Sequence, residues 1–438
     1  MHPRQISPQH VQRFFYYLRR EGWRSTLRRT RFWFKLANVG HRPSIAPEVT
    51  SGGLHTAFAA VDDIQSFWTE SAEKSAFQIA TPPVLHQKRK VAMIGDLNLP
   101  QCRKYRVEQI AEVLAEAGTE YAYSHYEDLP RCMDIMQDAT HLTLYRLRSH
   151  RDVSRHLYEA RRLRLPILYD IDDPLFSVPA YATYGNMDAL PGDFKTRFMA
   201  EAPGYADVMN MADVISVSTP ALQDHAREFT RRPVFLRRNF ADRATLDAST
   251  PDVPRAAQGG FRICFASGSH GHEVDFAVIE ADVMRFLARD KLRKLVILGH
   301  FDKTRLPPEI RDQVETHPFS GYADYLAHLA SCHAAIMPLA DDIFNRCKSG
   351  VRVIDASSVG VPSLVGKVSD MAALVDDGVT GRVLGTSGNW AAALEDLAND
   401  PKLARKMGQT ARKQLENRWS ARLDMPVIDP EMVRWMTA

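Results

Sequence analysis

Two hydrophobic rhythms alternate along the chain. Short unbroken apolar runs, such as KVAMIG from Lys90, HLTLY from His141 and KLVILG from Lys294, read as strands buried on both faces. Between them lie stretches with apolar residues three and four apart, the spacing of a helix with one buried face. From Lys90 the predicted order is strand KVAMIGDL, helix Tyr105 to Ala117 closed by Gly118, strand HLTLYRL and helix Val153 to Leu163. Strand PILYDID, helix Phe194 to Met211, strand DVISVS, helix Pro220 to Phe229 and strand PVFLRRN follow.

A polar stretch, Ala241 to Gly260, interrupts the pattern, which then restarts. Strand FRICFAS, helix Val274 to Leu287, strand KLVILGH, helix Tyr322 to Ser331 and strand AAIMPL come first. A helix from near Ser349 to Val359, strand PSLVG and helices Trp390 to Asn399 and Lys402 to Asn417 complete it. Strands alternating with helices predict an α/β protein with two tandem, Rossmann-like, doubly wound domains. Ligands on such sheets bind at the carboxyl ends of the strands, so two facing sheets make a cleft. The expected divisions are a basic aromatic segment 1–45, a turn-rich connector 46–88, a first domain 89–240 and a linker 241–259. A second domain 260–418 and a C-terminal helix 419–438 that crosses back to the first domain complete the plan.

Composition adds little. At 438 residues the chain can build two or three full cores, and a net charge of +3 does not point to nucleic acid. The five cysteines are scattered without a CxxC pair, which fits a reducing compartment and suggests neither zinc nor disulfides. No apolar run is long enough to span a bilayer, and no secretory signal is evident, so the body is expected to be cytoplasmic. Charge placement is more telling. From Arg4 to Lys35 nine basic residues face one acid, Glu21, and are interleaved with Phe14, Phe15, Trp23, Trp33 and other aromatics. Such a helical extension reads as an anchor for an anionic membrane surface, or as a helix packed on a partner or on the protein itself.

Four segments could carry chemistry. DDIFNRCKSGVRVIDASSVGVP, Asp341 to Pro362, places Asn345, Lys348 and Ser349 in a polar loop that feeds a helix N-terminus. Unpaired N–H groups and the helix dipole make that an anion site, to which Lys348 adds a full charge. SGSHGHEVDF, Ser267 to Phe276, leaves a strand with Gly268 and Gly271 for close backbone approach. Ser269, His270 or His272 can donate hydrogen bonds there, and Asp275 suits a helix start. YDIDDP crowds Asp170, Asp172 and Asp173 at one strand end, which suits a D-x-D metal site or carboxylates that accept from sugar hydroxyls. Gln101, Arg103, Tyr105 and Arg106, with Arg146 beyond the next strand, form a basic lip over the same cleft. No G-x-G-x-x-G follows the first strand of either half, which argues against a dinucleotide dehydrogenase.

Taken together, SGSHGHEVDF, KLVILGH, HAAIMPL, FNRCKSGVRVIDASSVGVPSLV, DDGVTGRVL and ADVISVSTPAL resemble a GT-B glycosyltransferase, closest to glycosyltransferase family 4. FNxxKS, QCxxYR and YDIDDP also resemble a bacterial subgroup that builds surface polysaccharides such as lipopolysaccharide. The resemblance implies a retaining transfer from a nucleotide-diphosphate sugar bound to the second domain, without a cofactor or divalent metal. It assigns Lys348 a catalytic role, with Asp172 and Asp173 facing a glycan or lipid-linked acceptor. Gly268, Ser269, His272, Asp275, Asn345, Ser349, Arg352 and Asp355 would bind the donor. Gln101, Arg103, Tyr105, Arg106 and Arg146 would line the acceptor's path. Such an enzyme would work at the inner face of the plasma membrane. The family's paired glutamates fall on Cys347 and Asp355 here, so a degenerate module that binds nucleotide-sugar or glycan is an alternative reading. A sugar-nucleotide epimerase on the same fold is another.

Overall fold

The computed structural model describes residues 88–438 except 191, 248–259, 269, 386–388, 421–426 and 438, together with scattered positions between 11 and 31. Those scattered positions are helical. The rest of the basic N-terminal segment, the connector up to residue 87 and most of the expected linker lie outside the described residues.

Residues 56–438 form one compact unit that holds two six-stranded sheets. The first contains β1 (Lys90–Gly95), β2 (Glu120–His125), β3 (His141–Tyr145), β4 (Ile167–Ile171), β5 (Val214–Val217) and β6 (Val234–Leu236). Its order is β2-β1-β3-β4-β5-β6, with every pair parallel. The second contains β7 (Arg262–Ser267), β8 (Lys294–Gly299), β9 (Val314–His317), β10 (Ala334–Met337), β11 (Ser363–Gly366) and β12 (Gly381–Leu384). Its order is β12-β11-β10-β7-β8-β9, also parallel throughout. Helices cover both faces of each sheet, which is why the central strands β3, β4, β5 and β10 are buried at every position.

The apolar runs predict every strand except β2, β9 and β12. All three are sheet edges, and residues in each are half-buried or exposed. An edge strand need not be apolar on both faces, so its sequence carries no continuous run. The helix expected over Val274 to Leu287 is two helices, Glu273–Ala277 and Glu280–Ala288. Ile279 leaves helical geometry between them and buries its side chain in the second core. The helix expected from Tyr105 begins at Pro100, passes through a π-helical stretch, Arg103–Glu108, and resumes as Ile110–Glu116.

Each sheet has apolar clusters on both faces, and two clusters take in residues from the other half of the chain. Phe344 and Cys347, beyond β10, join the first-sheet core with Tyr181 and Tyr184. At the end of the chain, Ile428 bridges to Arg237 beside β6, and the Pro430–Thr437 helix buries Met432 and Met436 in the cluster of Val91 and Met93. The tail thus returns to the first sheet.

Candidate functional site

The second sheet places β10 beside β7, so its topological switch point lies between them and the loops after these strands flank it. Asp275 ties the two loops together. Its carboxylate accepts from His272 Nδ1 (2.8 Å), Asn186 Nδ2 (2.7 Å), Asn345 Nδ2 (3.1 Å) and the Ala340 N–H (3.0 Å). Burial opposes its charge, but these donors and Lys348 hold the carboxyl well below its usual range. Asp275 and Asn345 are both fully buried. They were expected to touch the donor; in the structure they brace the two loops, with Asp275 spent on its four donors and Asn345 Nδ2 on Asp275, Asp342 and the Ala340 carbonyl, while Asn345 Oδ1 has no partner among the described residues.

The brace sets the state of His272. Its Nδ1–H donates a hydrogen bond to the Asp275 carboxylate, so Nε2 carries the lone pair and accepts from Arg352 Nη2 at 3.2 Å. Burial, then the adjacent Arg352 charge, push its pKa down to about 3, so it is neutral at physiological pH. Arg352 Nη1 is buried and has no hydrogen-bond partner among the described residues. Lys348 stands beside this group. Its ammonium donates to Tyr184 Oη at 2.9 Å and lies 4.9 Å from the Tyr184 ring centroid. Burial brings its pKa down to about 8, with Asp275, Asp173 and Asp342 opposing.

Lys348 and Ser349 lead into the Val351–Ser358 helix, whose N-cap, Gly350, provides no side-chain cap. A Cβ on Gly350 would come within 2.8 Å of the tip of the Leu374 side chain, which would have to shift to admit it. Ser349 Oγ accepts from Asn239 Nδ2 at 2.9 Å. Gly271 has φ +94, and a Cβ there would sit 2.4 Å from the Asn186 carbonyl. Close approach therefore explains Gly271, and by the first domain's own backbone. At Gly268 a Cβ would meet nothing within 4 Å, so the same argument fails there. Ser269 lies outside the described residues.

Across the cleft, Arg146 Nη1 contacts Asp172 at 3.2 Å and Asp173 at 3.4 Å. Arg146 holds φ +53, a strained conformation for a side-chain-bearing residue. Asp173 is pushed up by burial and by Asp172, while Arg146 and Lys348 pull the other way. The third acid behaves differently. Asp170 is fully buried and receives Arg106 Nε at 3.0 Å, together with a second Arg106 nitrogen and the Ser216 hydroxyl. Arg106 also donates to the Arg237 carbonyl and, at 3.1 Å, to Asn239 Oδ1. Arg106 was expected to line the acceptor's path; it is fully buried and neutralises Asp170, which also removes Asp170 from any metal site.

The remaining lip residues separate. Gln101 is exposed. Arg103 is paired with Glu108 (2.8 Å) and Tyr123 Oη (2.7 Å). Tyr105, expected on the acceptor side, reaches the second half of the chain: its hydroxyl donates to Asp355, which also accepts from Tyr322 Oη at 2.8 Å. Burial pushes Asp355 up to about 6 against the pull of these hydroxyls and Lys104. Cys347, at the place of the family's first glutamate, is buried in the first-sheet core, and its carbonyl accepts from Thr219 Oγ1 at 2.9 Å. Burial raises its thiol to about 12.

Sequence reasoning missed Tyr184, Asn186, Asn239 and Tyr322. Each acts on a residue far away in the chain, and none stands in a local pattern that marks it. The one available signal was Arg238-Asn239, which resembles the step before the family's linker.

Residues 283–414 match the family model described as glycosyl transferases group 1. Among solved structures, sucrose-phosphate synthase from Thermosynechococcus elongatus is 15% identical with TM-score 0.51, over 80% of this chain and 97% of that one. The Anabaena protein HepE, solved with UDP and glucose, is 14% identical with TM-score 0.51, over 76% and 96% of the two chains. A glycosyltransferase from Rickettsia africae is 12% identical with TM-score 0.51, over 80% and 97%. No curated protein sequence matches this one. The fold is that of the GT-B glycosyltransferases. Within it, the match to the glycosyl transferases group 1 model falls on residues 283–414, in the part of the chain that builds the second sheet.

Proposed function

We propose that the protein moves a sugar, with retention, from a nucleoside-diphosphate donor to a lipid-linked or polysaccharide acceptor in cell-surface glycan synthesis. One observation carries the reading. At the switch point of the second sheet, Lys348 stands beside an Arg352 whose buried Nη1 has no partner among the described residues. A diphosphate satisfies both. Neutral His272 accepts from Arg352 and so orients its guanidinium. As the bond from the sugar to the diphosphate breaks, negative charge grows on the leaving oxygen, and these fixed cations stabilise it. In this reading they do the work a divalent metal does elsewhere. Asp355 takes the donor's ribose hydroxyls. Asp172 and Asp173, held by Arg146, accept from the acceptor's hydroxyls. HepE, of the same fold, was solved with UDP and glucose, which agrees with a nucleotide-sugar donor.

The basic aromatic N-terminus would bring the enzyme to an anionic membrane surface where lipid-linked acceptors reside. Phe15 and Trp23 are more than half exposed. Among the described residues, no helix is long and apolar enough to cross a membrane. Deletion of residues 1–39 should release the protein from anionic vesicles, and persistent binding would sink the anchor.

The second reading, a binding module without turnover, is favoured by Cys347 alone, because a buried thiol replaces a carboxylate. One experiment separates the readings. The full chain is screened for thermal stabilisation by uridine, guanosine and deoxythymidine diphosphates and their sugars. The stabilising donor is then incubated with acceptor lipid. Stabilisation with transfer supports the enzyme, stabilisation without transfer or hydrolysis supports the module, and no stabilisation by any nucleotide rejects both.

A further inference from the structure

Asp355 is only 4% exposed, and what covers it is a tyrosine from the other domain. Tyr105, itself 4% exposed, reaches across 250 residues of sequence to donate its hydroxyl to the Asp355 carboxylate. Tyr322 donates to the same oxygen. A ribose hydroxyl is also a donor to a carboxylate, so Tyr105 offers Asp355 the bond that a nucleotide would offer. The two cannot share a carboxylate this enclosed.

The segment that carries Tyr105 departs from regular α-helix. Arg103–Glu108 is π-helical, with the Gln109 N–H bonded to the Lys104 carbonyl five residues back at 3.1 Å. A π-turn is a rare form that gathers at functional sites. The segment is clamped next door: Lys104 Nζ donates to both oxygens of Asp242 at 2.9 Å and to Thr245 Oγ1 at 2.7 Å. Its ammonium also lies 4.7 Å from the Tyr322 ring centroid and 4.9 Å from that of Tyr105. Asp242 caps the short Arg243–Leu246 helix that holds Thr245, in the stretch of chain between the two sheets.

We propose that Tyr105 is an autoinhibitory latch: its hydroxyl occupies the ribose carboxylate Asp355, and the side chain must swing off it before a donor can seat. The inference rests on the reading of Asp355 as the ribose partner. It makes the first domain a gate on donor binding as well as a platform for the acceptor.

The test uses the full chain and Tyr105→Phe, which keeps the ring and removes the hydroxyl. Hydrogen–deuterium exchange without ligand should be faster across residues 100–108 in the variant. Calorimetry with the diphosphate that the wild type binds should give a Kd about three- to tenfold tighter in the variant, the worth of one hydrogen bond. Lys104→Gln, which releases the clamp and also removes a positive charge that favours ionised Asp355, should speed the exchange in the same direction. Unchanged exchange, or a weaker Kd in Tyr105→Phe, would overturn the latch and make Tyr105 a support for the donor. No nucleotide bound by any of the three proteins would overturn the donor reading and, with it, the latch that rests on it, whatever the exchange shows.

Discussion

Asn239 Nδ2 donates to Ser349 Oγ at 2.9 Å, while its Oδ1 accepts from Arg106 Nη1 at 3.1 Å. The buried Arg106–Asp170 pair of the first sheet is thereby joined, through one amide, to the start of the helix that would hold the donor in the second. Thr219 to the Cys347 carbonyl, and Asn186 to Asp275, are parallel links. The two domains are thus connected at the polar groups of the site itself.

Asp170→Ala should destabilise the fold by about 3–5 kcal/mol, because it leaves Arg106 and Arg237 buried without a counter-charge. Asp170 is held below its usual pKa, so its stabilisation is present above the unfolded value of about 3.9 and lost as pH falls through the depressed one. Urea unfolding at neutral and acid pH should show the gap between wild type and variant closing toward acid. A gap that does not change with pH would mean the pair is not the source.

Lys348→Ala should weaken nucleoside diphosphate binding by about 1.5–3 kcal/mol, the range for charge-assisted bonds. In the free protein the ammonium titrates at about 8, and only its charged form attracts the diphosphate. Wild-type affinity should therefore fall as pH rises through about 8. Calorimetry on either side of that value should find the variant insensitive. A variant that keeps the wild-type pH dependence would remove Lys348 from the site.

Asp355→Asn should make the ligand-free protein more stable at neutral pH by about 2 kcal/mol while weakening nucleotide binding. Burial raises the Asp355 pKa to about 6. Its ionisation therefore costs the folded state more as pH rises from the unfolded value toward 6, and the neutral amide avoids that cost. Thermal unfolding is the readout. A variant no more stable than wild type at pH 8 would show that the tyrosine hydroxyls fully compensate the charge.

Cys347→Glu, which restores the residue type that the family resemblance expects, should lower stability by several kcal/mol and rescue nothing. The side chain packs in the first-sheet core, where a carboxylate has no partner. Unchanged unfolding with stronger donor binding would mean the side chain can reach the cleft.

The sequence was most legible where burial is locally periodic. Apolar runs located the interior strands, and Lys348, Arg352 and His272 were found because they follow strands that end at the carboxyl edge. Edge strands β2, β9 and β12 escaped because half-exposed residues carry no run. Arg106 and Arg103 look alike as letters in one basic lip. Only Asp170 makes one a fully buried counter-charge, and only Glu108 makes the other one half of a partly buried pair.

By itself, then, the chain determined two doubly wound sheets and the cationic loop at the second one's switch point, because those follow from short-range patterns of burial and charge. The tertiary structure alone decided which polar residues face a ligand and which face one another. Asp275, Asn345, Arg106 and Tyr105 were all candidates for contact with substrate. Each instead hydrogen-bonds a partner at least 60 residues away in the chain, although Asn345 Oδ1 keeps no partner among the described residues. A buried polar group must find such a partner, and no local pattern in the sequence says where it will come from.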